Sequence, residues 1–148
     1  MMRLLPLFVL FALVGILHAA PPAPLLGDWL GVGGWENGKV KNEVKGHVLT
    51  FTDKDFTVKE KDGKLAYGGT YTIDAAKTPA TIDFVHTEGN AKGKTWLGIW
   101  KTGGKKTDPT ELLICDNAAD VTKPRPKDFQ TPTGSGHPKL CSTHRDVP

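Results

Sequence analysis

The sequence has few cysteines, no strong excess of one charge, and no long apolar run beyond Leu17. Each shortage removes a class of protein. Two cysteines cannot staple a disulfide-dense scaffold or furnish a cysteine-built metal centre. Lysine and arginine total 19 against 16 aspartates and glutamates, a formal net charge of +3, so no basic arm marks a nucleic-acid partner. No later segment is apolar enough to span a bilayer as a helix. The histidines His47, His86, His137 and His144 stand in no HExxH or other compact ligand spacing, so no metal is expected. Gly31-Val32-Gly33-Gly34 is not a dinucleotide loop, because Glu36 replaces the third glycine and no βαβ pattern surrounds it. Gly134-Ser135-Gly136-His137 lies in a polar loop and is no nucleophile elbow. No cofactor is expected.

What is present begins with a leader. Met1-Met2-Arg3 carries positive charge, Leu4–Leu17 is almost wholly apolar, and His18-Ala19-Ala20 ends in small residues. Those are the three parts of a secretory signal peptide. Leu17 and Ala19 occupy the recognition positions, so cleavage is expected after Ala19. An uncleaved anchor is disfavoured, because the run is short for a bilayer. Residues 1–19 are read as leader and 20–26 as an extended tether through Pro21-Pro22-Ala23-Pro24. Residues 27–148 are read as one domain with one modest core. The expected location is the periplasm or the extracellular space, with no stable membrane insertion of the mature chain.

From Gly27 onward the pattern is short strands between turns, with no convincing amphipathic helix. Strands are expected near 28–35, 47–52, 55–60, 64–73, 80–86, 95–102, 111–116 and 139–145. The fourth shows the alternation best: Leu65, Tyr67, Gly69, Tyr71 and Ile73 oppose Ala66, Gly68, Thr70 and Thr72. Asn37-Gly38 is a strong hairpin turn, and Lys61-Asp62-Gly63 marks another. The polar segment Asn117–Pro138 is long for a loop in a compact domain. Sequential short strands predict an all-β fold, an eight-stranded antiparallel up-and-down barrel. A β-sandwich is the alternative. A barrel of that size holds side chains, or one small ligand.

Cys115 and Cys141 fall where the last two strands meet, and an exported chain favours their pairing as a disulfide. Such a bond would stabilise by roughly 3–4 kcal/mol. The alternative is two separate buried thiols.

Gly27-Asp28-Trp29 at the head of the first strand, with Arg145 in the last, resembles the closure of a lipocalin-type barrel. The resemblance implies that Trp29 sits at the barrel floor and that Arg145 covers its indole, a cation over a ring face. The mature chain also resembles a family of small exported domains of uncharacterised function, abundant in planctomycete bacteria. The matching pieces are Gly27-x-Trp29 with Asn37-Gly38, Gly69-x-Tyr71-x-Ile73-Asp74, and Lys77-x-Pro79-x-x-Ile82-Asp83. Gly98-Ile99-Trp100, Leu112-Leu113-Ile114-Cys115 and Arg125-Pro126-x-x-Phe129 follow in order. This resemblance implies a lipocalin-like fold and no particular activity. The Thr-Asp-Tyr triplet and C-terminal helix of typical secreted lipocalins are missing from the sequence.

Asp74 and Asp83 could divide acid and base roles. A bland reading fits better: Asp74 N-caps one helical turn at Ala75-Ala76-Lys77, and Asp83 points off the face of Ile82 and Phe84. Activity as an enzyme is not expected. Trp96 and Trp100 share a face of the sixth strand, and His86 shares one with Phe84. With Tyr67 and Tyr71 these residues are the candidate lining of a site for a small apolar or amphiphilic ligand. A sugar-like ligand would also suit the two indoles. The lysines Lys92, Lys94, Lys101, Lys105 and Lys106 are read as solvated turns, with an anionic wall polymer as the alternative partner. Phe129 is read as a plug that packs the long loop onto the barrel, with Arg125 as its ionic anchor. The leading expectation is an exported ligand-binding barrel. The second is an envelope structural or protein-interaction domain with a filled core.

Overall fold

The computed structural model describes residues 25–105 and 108–144, with backbone alone at 108–109 and 141–144. The leader, most of the tether, Lys106 and Arg145 lie outside the described residues. The strands are β1 (Gly27–Glu36), β2 (Lys39–Lys41), β3 (Val48–Phe51), β4 (Asp55–Lys59), β5 (Leu65–Asp74), β6 (Ala80–Gly89), β7 (Thr95–Lys105), β8 (Asp108–Asp116) and β9 (Lys139–His144). Every pairing is antiparallel, in the order β2-β1-β3-β4-β5-β6-β7-β8-β9, and β9 returns to β1. Eight strands, β1 and β3 to β9, therefore close an up-and-down barrel, and β2 is an added flap. Closure excludes the sandwich.

Alternation explains which residues point inward. Leu49 and Phe51 on β3 face Phe56 and Val58 on β4, and all four are buried. On β5 and β6, Tyr71 lies opposite Phe84 and Ile73 opposite Ile82. On β7 and β8, Trp100 lies opposite Ile114. A side-chain period of two puts each of these pairs on the interior face.

The flap β2 is not expected from its sequence, because Lys39-Val40-Lys41 has nothing to bury. Its cause is the turn before it. Asn37 and Gly38 both take positive φ, 52° and 74°, the geometry of a tight hairpin. That turn folds β2 back onto Gly34–Glu36 of β1. Two lysines on so short a strand blunt its free edge. The strand β8 also starts three residues earlier than the alternation suggests, at Asp108.

One end of the barrel is solid. Trp29 is fully buried there and its Nε1–H donates to the Leu25 carbonyl at 3.0 Å. Phe51 meets the Tyr71 ring edge-on at 4.8 Å, and the Tyr71 hydroxyl donates to the Thr52 carbonyl at 2.7 Å. Trp100 donates to the Thr81 carbonyl at 3.1 Å. Buried aromatics with satisfied polar tips make a floor.

The segment 117–138 is a strap across the outside of β6, β7 and β8. Ile99 and Cys115 lie opposite each other on the outer face, yet both are almost wholly buried. The strap supplies their cover. Arg125 Nη1 pairs with Asp83 and donates to the carbonyls of Gly98 at 2.6 Å and Ile82 at 3.3 Å. The Lys101 ammonium lies 4.8 Å from the centre of the Phe129 ring. Asn117, fully buried at the root, accepts from Leu97 N–H and donates to the Lys123 carbonyl, each at 2.8 Å. Arg125→Ala removes a charge-assisted anchor with three acceptors and should cost about 2 kcal/mol. Protease should then cut within 117–138 while the barrel survives. Phe129 is only half-buried, so Phe129→Ala should cost less. A strap as resistant in Arg125→Ala as in the parent would contradict this account.

The expected disulfide is not formed. Cys115 is a free, buried thiol. The β8–β9 register sets Lys139 opposite Cys115 and puts Cys141 opposite Leu113. The two cysteines are therefore diagonal neighbours, with Cα atoms about 7–8 Å apart, beyond the usual reach of a bridge. Burial pushes the Cys115 thiol up to about 12, so it is unreactive at neutral pH.

Candidate cavity at the open end of the barrel

The barrel interior is not filled to its other end. A cavity of about 460 Å³ lies above the floor, within the size range of small-molecule sites. Its walls are mostly apolar: Leu49, Phe56, Val58, Phe84, Ile114 and Leu140. Trp35, Tyr67 and Trp96 add rings, and Glu36, Lys41, Glu43, Asp116 and Lys139 add charge. Strand register brings these together, since the cavity sits where β1, β6 and β8 end and β5, β7 and β9 begin.

Gly98 helps to open the space. It lies between the inward indoles of Trp96 and Trp100, opposite Asp116. A Cβ at Gly98 would meet the Asp116 Cβ at 3.1 Å and an Ile82 methyl at 3.2 Å. The absent side chain leaves room for the Asp116 carboxyl on the interior face.

An aromatic cluster forms one wall. His86 packs against Trp96 with ring centres 4.0 Å apart and planes tilted by 53°. Phe56 and Tyr67 meet the same imidazole at 5.2 and 5.4 Å. His86 is 2% exposed. Its Nδ1 lies 3.2 Å from the Lys94 carbonyl, which can only accept, so the proton is placed on Nδ1 and Nε2 carries a lone pair. Burial pulls the imidazole below its ordinary value and keeps it neutral.

Two buried polar atoms here have no hydrogen-bond partner among the described residues, His86 Nε2 and Trp96 Nε1. One is an acceptor and the other a donor, yet the two atoms do not bond to each other. A buried polar atom without a partner costs about 1–3 kcal/mol.

Asp116 is the acidic group of the interior. Its Oδ1 accepts from Ala118 N–H at 2.9 Å. Burial pushes its carboxyl up to about 7. Burial also raises the Tyr67 hydroxyl far above its ordinary value, and the negative charge of Asp116 adds to that. Asp116 sets a pH dependence. Its folded value exceeds its unfolded one, so the unfolded chain ionises first and stability falls as pH rises from about 4 to about 7. Asp116→Asn should remove that loss, gaining up to about 4 kcal/mol at alkaline pH and almost nothing near pH 4. Urea unfolding at both pH values checks it. An equal gain at the two would show that the carboxyl titrates normally.

Of the residues expected to line a site, Tyr67, Phe84 and Trp96 do so. His86 lies behind them, in contact with all three rings. Tyr71 and Trp100 are part of the floor. Trp29 is buried in that floor as well. Asp74 does not cap a helix: its Oδ1 accepts from Ala76 N–H at 3.0 Å in a turn. Asp83 faces outward to Arg125, away from the cavity. Asp116, Glu36, Lys41 and Glu43 were not expected. The alternation Leu112, Ile114, Asp116 carries the signal for the first of them.

Among the described residues, no group of histidine, cysteine and carboxylate side chains could hold a metal ion. Among those residues, too, no helix is long and apolar enough to cross a membrane. Comparison with family models, curated proteins and solved structures finds no match.

Proposed function

We propose that this protein is an exported, non-enzymatic barrel that binds one small amphiphilic molecule in the cavity at its open end. The observation that carries the reading is the apolar cavity of about 460 Å³, walled by Leu49, Phe56, Phe84 and Trp96 with the Asp116 carboxyl on its lining. An apolar body on the ligand would bury against Leu49, Phe56, Val58, Ile114 and Leu140. That burial stabilises by about 25 cal/mol per Å² of apolar surface removed from water. A polar group on the ligand would sit at the polar part of the lining, among Tyr67, Trp96 and Asp116. The competing reading, an interaction domain with a filled core, needs no such space.

Native mass spectrometry of protein purified from its own source should find a small molecule bound one to one. A neutral fluorophore, N-phenylnaphthylamine, tests the site directly. Val58→Phe projects a ring into the cavity and should abolish the fluorescence gain. Val32→Phe, at an exposed position, should leave it intact. Equal fluorescence in both variants would rule out the cavity as the site.

A further inference from the structure

The reading of the cavity as a ligand site leaves open which polar group it selects, and its charges bear on that choice. The interior carries one carboxylate, Asp116, set among rings. Both lining cations are already engaged. Lys41 Nζ pairs with Glu36 Oε2 at 2.9 Å, and the Lys139 ammonium lies 4.8 Å from the centre of the Trp35 ring. Three carboxylates, those of Glu36, Glu43 and Asp116, face two ammonium groups around the cavity. We propose that the cavity selects a cationic amine, held by the Asp116 carboxylate amid the rings of Tyr67 and Trp96.

Three physical terms favour that choice. The faces of Tyr67 and Trp96 are negative and attract a cation. A carboxylate in a partly desolvated site binds an ammonium group more strongly than a neutral hydroxyl, because the hydrogen bond is charge-assisted. The lining as a whole carries more negative than positive charge, three carboxylates against two ammonium groups. The same charges reject a fatty acid, whose carboxylate would face Asp116 with no free cation beside it. The ionisable groups that share the cavity lining with Asp116 come from several elements: Tyr67 from β5, Lys139 from β9 and Glu36 from β1. Lys41 and Glu43 complete the set at the mouth. None of them is a second cation free to bind an anionic head.

The test compares octylamine, octanol and octanoate, which share a chain and differ in head group. Titration calorimetry is run on the mature chain at alkaline pH, above the Asp116 value of about 7. Octylamine should bind about tenfold more tightly than octanol, and octanoate most weakly. Asp116→Asn should bring the octylamine-to-octanol ratio to about one, and Asp116→Glu should keep the preference. Octylamine no tighter than octanol, or a preference that survives Asp116→Asn, overturns the proposal. Octanol binding without amine preference overturns this inference alone. Failure of all three to bind overturns it together with the ligand-binding reading.

Discussion

Gly69→Ala is expected to destabilise the barrel by more than about 4 kcal/mol, a large fraction of the 5–15 kcal/mol typical of a domain. A Cβ at Gly69 would lie 1.9 Å from the Val85 carbonyl oxygen and 3.0 Å from the His86 Cα. Both are backbone atoms of β6, so no side chain can swing aside. The ladder itself must move. It is already irregular there, because the β5–β6 register shifts between Gly68 and Gly69 and leaves Thr87 without a partner. Moving β6 would also shift His86 and Phe84, and with them the wall of the cavity. Gly33→Ala is the control, since its Cβ would meet nothing within 4 Å. It should cost less than about 1 kcal/mol. Similar urea midpoints for the two variants would refute the close approach of β5 and β6.

Trp29→Ala should cost about 3–5 kcal/mol, the range for removing a buried aromatic. The indole fills the floor at 0% exposure. Its loss leaves a hole and takes the Nε1–H donor from the Leu25 carbonyl. Trp29→Phe keeps most of the volume and should cost clearly less. Near-ultraviolet circular dichroism and urea unfolding check both variants. An alanine variant close to wild type would mean that the floor is held by Phe51, Tyr71 and Trp100 without it.

The barrel was legible because its strands obey a period of two and its turns use Asn-Gly and Asp-Gly chemistry. Leu49 with Phe51, Phe56 with Val58, and Ile82 with Phe84 each mark an interior face before any pairing is known. The floor was legible from Trp29 and its place at the head of β1. The flap was not, because β2 owes its existence to Asn37 and Gly38 and has no apolar face of its own. Cys115 and Cys141 misled for a different reason. Proximity of strand ends does not set register, and a two-residue offset is enough to prevent a bond. The acid of the cavity was hidden in the same way. Asp116 reads as a strand terminus on the face of Leu112 and Ile114, and the β7–β8 register, with Gly98 opposite it, shows the space that holds its carboxyl inside. Alternation therefore carried the hydrophobic half of the cavity, while its charged half depended on pairings between distant segments.

Because Trp29, Phe51, Tyr71 and Trp100 seal one end, the cavity is a blind tube, and a blind tube measures length. Any linear guest must go in and come out by the same opening, head group last. Each added methylene should strengthen binding by about 0.8 kcal/mol while it still finds wall to cover. When the tip reaches the inner end, where Leu49, Phe56, Phe84 and Ile114 line the cavity, the increments should stop abruptly, and longer chains should leave their surplus in water. The closed end is thus a ruler whose graduation is set by the depth at which those four side chains sit.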